Sequence, residues 1–185
     1  YVDDLVAMSI ISDSCDLTAL ENRYYVHNGL HNVQNPLIQA MLPSAVKRYG
    51  LTPTGYSWAM IPLINAVCRK EETDEKHELF DAFSGHGDIE STLKMCRSAH
   101  RLQTETVKQA VEDVEPTLDL DHKVIIGFCD SGLANQIGLI ANKFQGKYNK
   151  PTILLRQASS TTWSGSLRSP VDLTDVVNES GLAKA

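Results

Sequence analysis

Residues 124–155 read VIIGFCDSGLANQIGLIANKFQGKYNKPTILL, and their pattern indicates the fold class of this part of the chain. The apolar run at 124–129 is typical of a buried strand, residues 135–148 have the period of an amphipathic helix, and residues 152–155 form a second apolar run. A strand, a crossover helix and a second strand at this spacing predict two parallel neighbouring strands. The chain therefore contains a small α/β lobe.

The next stretch along the chain, residues 163–169 with the sequence WSGSLRS, is rich in hydroxyl groups and carries one arginine. Gly165 lets the backbone approach a ligand, and Ser166 and Ser169 can donate hydrogen bonds. Arg168 can hold a phosphate with two hydrogen bonds at once. We predict a phosphate-binding loop that includes a strand at about 162–168, although a plain turn with a solvated arginine has the same composition.

Upstream of the α/β lobe, apolar residues recur every three to five positions from 88 to 115, which predicts one helix that Pro116 ends. A helix of about 27 residues reaches roughly 40 Å, so we expect it to join two lobes. The further helices predicted are 2–11, 19–30, 36–49 with a break near Pro43, and 172–180 with Asp172 as N-cap and Gly181 just after its end.

The predicted fold class is α/β, with a mainly helical first lobe, a long connecting helix and a small α/β lobe with a mixed sheet. At 42% apolar and 22% charged residues, the 185-residue composition is ordinary for a globular protein. No apolar run approaches the roughly 18 residues that span a membrane, and the start, with Asp3 and Asp4, lacks a signal peptide's basic segment. We expect a cytoplasmic protein with no membrane partner. The 4 cysteines contain no CxxC pair, so we expect free, mostly buried thiols.

Charge is distributed unevenly along the chain. The formal net charge is -6, yet residues 116–171 carry six basic and three acidic side chains, which gives this segment a net charge of +3. The segment that contains the WSGSLRS stretch therefore has the sign that permits an anionic ligand.

Three separated motifs follow one another in an order that resembles the RecJ-like DHH phosphoesterases. The first resembles that family's last metal-binding motif with the ENR segment after it, the second its P-[RL]-[IL]-N-A-x-x-R motif, and the third the substrate-binding GSxRS motif of the DHH-associated domain. The residues that carry the resemblance are Asp4-Leu5-Val6-Ala7 with Asp13, Leu17 and Glu21-Asn22-Arg23; Pro62, Ile64-Asn65-Ala66 and Arg69; and Gly165, Ser166, Arg168 and Ser169. Together they cover nearly the whole chain.

The resemblance implies a two-lobed phosphoesterase with manganese or magnesium bound by carboxylates and imidazoles, and a 5′-to-3′ exonuclease acting on single-stranded DNA in repair or recombination. Such a pair of divalent ions clamps the phosphate and activates water. Residues 1–87 would be the end of the DHH domain, 88–115 the connecting helix and 116–185 a truncated DHH-associated domain. The site residues implied are Asp13 as catalytic metal ligand, Asn65 and Arg69 facing the nucleic acid, and Gly165, Ser166, Arg168 and Ser169 binding the substrate.

The sequence also departs from the family's pattern. The Asp-x-Asp, Asp-His-His and Gly-Gly-His motifs are absent, and Leu63, Cys68 and Pro170 replace the family's usual residues. With Tyr1 as its first residue, the chain is expected to be a piece of a longer protein. We expect this piece to be inactive alone, because one carboxylate cannot hold two metal ions.

Two other functions stay open. One is a DHH phosphodiesterase for small substrates, either oligoribonucleotides or cyclic dinucleotides, and the other is a non-catalytic DNA-binding relative. From the residues alone, a helix-end residue in a turn is the better account of Asp13. Trp58 and Trp163 can stack bases, although we expect both in a core. His27 and His31 have a spacing that can bind zinc, although exposed helix-end histidines are the better account.

Overall fold

The computed structural model describes residues 2–181, and the chain divides after Leu102 into two compact units. The elements of the first unit are α1 (Asp3–Ser12), α2 (Leu20–His31), α3 (Pro36–Tyr49), the single turn α4 (Pro53–Gly55), a π-helical turn (Tyr56–Met60), α5 (Ile61–Cys68), α6 (Asp74–Phe83) and the first half of α7 (Ile89–Val114). The predicted helices α1, α2 and α3 are confirmed to within two residues at each end. Among residues 2–181, no helix is both long and apolar enough to cross a membrane.

Helices α1 and α2 pack so closely that residue 29 has no room for a side chain. Gly29 on α2 is buried, and a Cβ atom there would lie 2.3 Å from the Asp3 carbonyl oxygen and 2.5 Å from the Cβ of Ala7. Only glycine fits such an approach without displacing a helix. The contact therefore fixes α1, which carries Asp13 at its C-terminal end.

A buried carboxylate anchors the start of α3. Asp4 is 2% exposed, and its Oδ2 accepts hydrogen bonds from the backbone N–H groups of Gln34 (2.8 Å) and Asn35 (2.6 Å). Asn35 in turn caps α3, since its Oδ1 accepts from two backbone N–H groups of the first turn, and its Nδ2 donates to the Phe83 carbonyl at 2.8 Å. Residues of α1, α3 and α6 are thus joined by one hydrogen-bonded chain.

The predicted break of α3 near Pro43 is wrong, because the helix runs without interruption through this residue. Proline lacks an N–H group and normally bends a helix. Here Pro43 lies on the exposed side, where water can hydrogen-bond the carbonyl that it leaves unpaired. Buried Leu37, Ile38, Met41 and Ala45 hold the helix against the core on both sides of it.

A π-helical turn at Tyr56–Met60 leads directly into α5. Pro62 provides the reason, because it cannot donate to the Trp58 carbonyl and its ring crowds that oxygen, so the turn before it widens. Tyr56 is 1% exposed and its hydroxyl has no partner among the described residues. Burial, together with the charge of Asp4, raises the pKa of Tyr56 to about 12.

The long helix predicted over 88–115 is confirmed as α7, Ile89–Val114. Asp88 begins it, with its Oδ1 accepting from the Ser91 N–H at 3.0 Å. A 3-10 turn at Glu115–Thr117 follows and contains Pro116. The division between the two units falls inside this helix, after Leu102.

The second unit is a mixed sheet covered on one face. It consists of the second half of α7, β1 (Ile125–Phe128), a 3-10 turn (Ser131–Leu133), α8 (Ile137–Tyr148), β2 (Thr152–Gln157), β3 (Trp163–Arg168) and α9 (Thr174–Glu179). The strand order is β1-β2-β3, with β1 parallel and β3 antiparallel to β2. The predicted parallel pair with its crossover helix and the predicted mixed sheet are therefore confirmed.

The core of the second unit lies between the sheet and two helices. Leu154 of β2 is fully buried with Phe144 and Ile140 of α8 and with Val114 at the end of α7. A Cβ at Gly127 would lie 2.6 Å from a methyl group of Leu118, so β1 also meets the segment after α7 without a side chain between them. One face of the sheet is thus packed, whereas β3 is exposed from Trp163 to Gly165 and half-buried from Ser166 to Arg168.

Helix α9 differs from the prediction at its start and agrees with it at its end. Asp172 accepts a hydrogen bond from the Thr174 N–H at 2.9 Å, but the N-cap is Leu173, and α9 is shorter than predicted. Gly181 follows the helix with a φ of 66°, as predicted.

The four cysteines differ in their exposure. The four thiols are free, but Cys15 and Cys68 are exposed, so "mostly buried" is wrong for half of them. Burial raises the pKa of the Cys96 thiol to about 12.

Candidate functional site

The predicted phosphate loop at 163–169 is mostly a strand, since β3 pairs with β2 from Trp163 to Arg168. Ser166 lies opposite Leu154 and Arg168 opposite Thr152, and both of these β2 residues are fully buried. Directly opposed residues share a face of the sheet. Ser166 and Arg168 therefore point toward the face that α8 covers.

Helix α8 leaves room for these two side chains because residue 138 is glycine. A Cβ atom at Gly138 would lie 2.7 Å from Arg168 Nη2 and 3.3 Å from Ser166 Oγ. Gly138 belongs to the first turn of the 12-residue α8, where N–H groups lack intrahelical acceptors and the helix dipole favours negative charge. The guanidinium, the hydroxyl and a helix N-terminus thus converge at one place.

The Arg168 guanidinium is held in position from within its own strand. Its Nη1 donates to Ser166 Oγ at 2.7 Å and to the Leu167 carbonyl at 2.8 Å. Its Nε and Nη2 groups find no acceptor among the described residues, so they remain available for an oxyanion. The Ser166 hydroxyl accepts from arginine and keeps its own proton to donate. The arrangement can bind a phosphate with charge-assisted hydrogen bonds.

The other two residues of the predicted phosphate site have different surroundings. A Cβ at Gly165 would lie 2.0 Å from the Leu154 carbonyl oxygen, so this glycine permits the close approach of β3 to β2. Ser169 Oγ accepts from the Val171 N–H at 3.2 Å and shapes the turn after the strand. The structure brings Ser166 and Arg168 together, and it gives Gly165 and Ser169 contacts within the fold.

In the first unit, Asp13 and Asn65 line the same pocket, which has a volume of about 250 Å³. Asp13 caps the C-terminal end of α1 with an exposed side chain. The rest of the lining is mainly apolar and includes Phe83. Arg69 is not part of that lining but caps α5 one turn after Asn65, and its backbone N–H donates to the Asn65 carbonyl at 3.1 Å.

Whether Asp13 can hold a divalent metal ion depends on how many other ligand groups lie around it. Across residues 2–181, no three His, Cys, Asp or Glu side chains come close enough together to hold a metal ion. The described residues thus supply a single carboxylate at this place and do not by themselves form the two-ion site that the resemblance implies.

The Glu21-Asn22-Arg23 segment closes the loop that follows Asp13. Asn22 Nδ2 donates to the Asp16 carbonyl at 2.9 Å, and Arg23 Nε donates to the Leu17 carbonyl at 3.2 Å. Sequence reasoning missed this role, because a bond to a backbone carbonyl six residues away leaves no periodic signal. The segment fixes the chain on the C-terminal side of Asp13.

Both tryptophans are exposed, so the expectation that they belong to a core is wrong. Trp58 is 69% exposed and Trp163 is 53% exposed, with the Trp163 ring edge-on to Phe128 at a centroid distance of 5.1 Å. His27 and His31 are exposed, as expected, and His31 Nδ1 hydrogen-bonds the His27 carbonyl at 2.7 Å.

Two proteins that are similar to this chain in sequence carry names of the same kind. No protein-family model matches the chain. It is 26% identical over 196 aligned residues to a protein of Bacillus subtilis (strain 168) named as SPbeta prophage-derived single-strand DNA-specific exonuclease YorK, and equally to its counterpart in Bacillus phage SPbeta. The match covers 89% of this chain and 33% of each relative, so the chain spans about a third of their length.

Solved structures agree on the fold. RecJ of Thermus thermophilus in complex with Mn²⁺ superposes with a TM-score of 0.79 at 18% identity, covering 97% of this chain and 27% of that one. An exonuclease RecJ bound to manganese superposes with a TM-score of 0.69 at 20% identity, covering 95% and 45%. The resemblance predicted from the three sequence motifs is therefore confirmed, and the chain has the RecJ-like fold.

Proposed function

We propose that this chain is part of a metal-dependent exonuclease that hydrolyses single-stranded DNA from the 5′ end, and that its second unit holds a phosphate of the DNA. The fold shared with RecJ and the similarity to proteins named as single-strand DNA-specific exonucleases support the class of activity. Under this proposal, residues 1–87 correspond to the end of the DHH domain, 88–115 to the connecting helix and 116–185 to the DHH-associated domain.

One observation carries the proposal, namely the convergence of Arg168, Ser166 and the first turn of α8 at Gly138. Three kinds of donor around one point match the oxygens of a phosphodiester and do not depend on base identity. The net charge of +3 over residues 116–171 adds a favourable field for a polyanion. Gly165 and Ser169 support the site through the strand and the turn that they shape.

The first unit would contribute Asp13 as one metal ligand, with manganese or magnesium as the ion, as in the RecJ structures bound to those metals. Asn65 shares the Asp13 pocket and Arg69 follows it by one helical turn, so we assign both to contacts with the DNA strand. The remaining ligands would have to come from outside the described residues.

The 185-residue chain is expected to bind single-stranded DNA without cleaving it. Binding should survive removal of divalent metal with EDTA, because the phosphate site consists of a guanidinium, a hydroxyl and backbone N–H groups. A 5′-labelled single strand incubated with the chain and Mn²⁺ tests this, with binding followed by anisotropy and cleavage by gel electrophoresis.

Three results would count against this assignment. Robust Mn²⁺-dependent cleavage by the chain alone would contradict the assignment of missing ligands. Loss of binding in EDTA would contradict the metal-free phosphate site. Tighter binding of a cyclic dinucleotide or a dinucleotide than of a long single strand would favour a phosphodiesterase for small substrates instead.

A further inference from the structure

A second pocket in the first unit is lined by Ser14, the residue that follows Asp13. It has a volume of about 310 Å³ and lies between the C-terminal end of α1 and the π-helical turn. Ile11, Leu17 and Pro53 contribute apolar walls, while Ser14 brings a hydroxyl group and Trp58 an indole ring. The volume is at the lower end of the roughly 300–1,000 Å³ of small-molecule sites, which suits one flat ring system.

The π-helical turn explains why Trp58 is presented to solvent. The widened turn before Pro62 carries Trp58 at its middle, 69% exposed, whereas Tyr56 and Met60 of the same turn are buried in the core. Such turns occur often at functional sites. An exposed indole beside an apolar pocket offers the stacking surface that nucleobases use, and it is tolerant of base identity.

Another residue of the pocket lining, Ser14 just after α1, has an unusual backbone conformation. Ser14 has a φ of 53°, in the left-handed region where helix ends usually place glycine. This left-handed conformation is unfavourable for a residue with a Cβ. Serine adopts it here, and its hydroxyl group belongs to a residue of the pocket lining. A lining that combines a hydroxyl group, an aromatic ring and apolar walls matches a base, which has apolar faces and polar edges.

The position of the pocket connects it to the proposed chemistry. Asp13 and Ser14 are consecutive, and Asp13 lines one pocket while Ser14 lines the other. Under the proposed function the DNA strand passes the pocket that Asp13 and Asn65 line, and such a strand can place one of its bases in the neighbouring pocket. We propose that the pocket between Ser14 and Trp58 binds a base of the single-stranded DNA substrate; this rests on the proposed function.

The test compares two ligands of equal length, an oligodeoxythymidylate and an abasic oligomer with the same sugar-phosphate backbone. Trp58→Ala should weaken binding of the base-bearing strand by about 5- to 150-fold, the range expected for loss of one stacked base, and leave the abasic strand unaffected. Trp58→Phe should restore most of the affinity, because a phenyl ring also stacks. Phe80→Ala removes another exposed aromatic ring of the same unit and should change neither affinity.

A chemical probe gives an independent measurement on the unaltered chain. Cys15 is exposed and lines this pocket, while Cys68 is exposed and does not. Bound oligodeoxythymidylate should slow thiol labelling at Cys15 and leave the rate at Cys68 unchanged. Equal protection of both thiols, or of neither, would contradict base binding at this pocket.

The results separate this inference from the proposed function. If the unaltered chain binds neither oligomer, both fail. If Arg168→Met weakens both oligomers while Trp58→Ala changes neither, phosphate binding stands and the base pocket is wrong. If Trp58→Ala weakens both oligomers equally, Trp58 acts on the backbone or the fold, and the base pocket is again wrong.

Discussion

Arg168→Met should weaken the binding of single-stranded DNA by about 10- to 150-fold, the loss expected when hydrogen bonds from a charged group are removed. Arg168 is held by Ser166 Oγ and the Leu167 carbonyl, and its Nη2 lies beside the first turn of α8. Methionine keeps the length of the apolar stem and removes the guanidinium. The fold should therefore remain while the phosphate loses its charged donor.

Anisotropy titrations over a range of salt concentrations measure this effect. Loss of one phosphate contact should make the slope of log K against log[salt] shallower by about 0.7. Lys143→Met is the matched control, because it removes one exposed positive charge from α8 in the same unit. If the two variants lose affinity equally, the effect is general electrostatics and the assigned phosphate site is wrong.

Gly138→Ala changes the same phosphate site at its α8 side. Its Cβ would lie 2.7 Å from Arg168 Nη2, the mobile end of a side chain, so the guanidinium should be displaced while the helix gains a better former. Affinity for single-stranded DNA should fall without a loss of stability, as measured by anisotropy and by unfolding in denaturant. Because Arg168 keeps its charge in this variant, a loss of affinity would show that the position of the guanidinium matters as well.

Gly29→Ala should lower the free energy of unfolding of the first unit by about 3 kcal/mol, the upper range for forcing extra volume into a packed core. The added Cβ meets the Asp3 backbone at 2.3 Å and the Ala7 Cβ at 2.5 Å, so α1 and α2 must separate. Backbone atoms cannot move aside as a side-chain end can. The same change should disturb Asp13, which α1 carries.

The matched control is Gly146→Ala in α8, where an added Cβ meets nothing within 4 Å. That replacement should raise the free energy of unfolding by up to about 1 kcal/mol, because alanine is the better helix former. The 2 tryptophans allow each unit to be followed separately in denaturant, Trp58 in a Trp163→Phe background and Trp163 in a Trp58→Phe background. Equal stability of Gly29→Ala and the unaltered chain would contradict the close helix contact.

The elements that the sequence predicts well are those with a strong local pattern. The β1–α8–β2 unit and α7 are visible in the spacing of their apolar residues, and the structure has them within two residues of the predicted ends. The contacts of residues 163–169 are harder to predict from the sequence. The pairing of β3 with β2 depends on Leu154 and Leu155, which are separated from β3 by a turn.

Tertiary contacts account for what sequence reasoning missed. Asp4 interrupts an apolar run without apparent purpose, yet it accepts two backbone hydrogen bonds some thirty residues away at the start of α3. Pro43 predicts a broken helix, but its exposed position leaves the unpaired carbonyl accessible to solvent, and buried residues on the other side hold the helix against the core. The exposure of Trp58 follows from the π-helical turn before Pro62, which no period of apolar residues reveals.

Amide chemical-shift mapping shows whether β3 and the start of α8 hold a phosphate of single-stranded DNA. A 5′-phosphorylated single strand titrated into the isotope-labelled chain should perturb the amides of Gly138, Ser166, Leu167 and Arg168 most strongly within the second unit, and Arg168→Met should abolish these shifts. Phosphate binding there would be contradicted if these four amides stay unperturbed while the strand binds elsewhere on the chain.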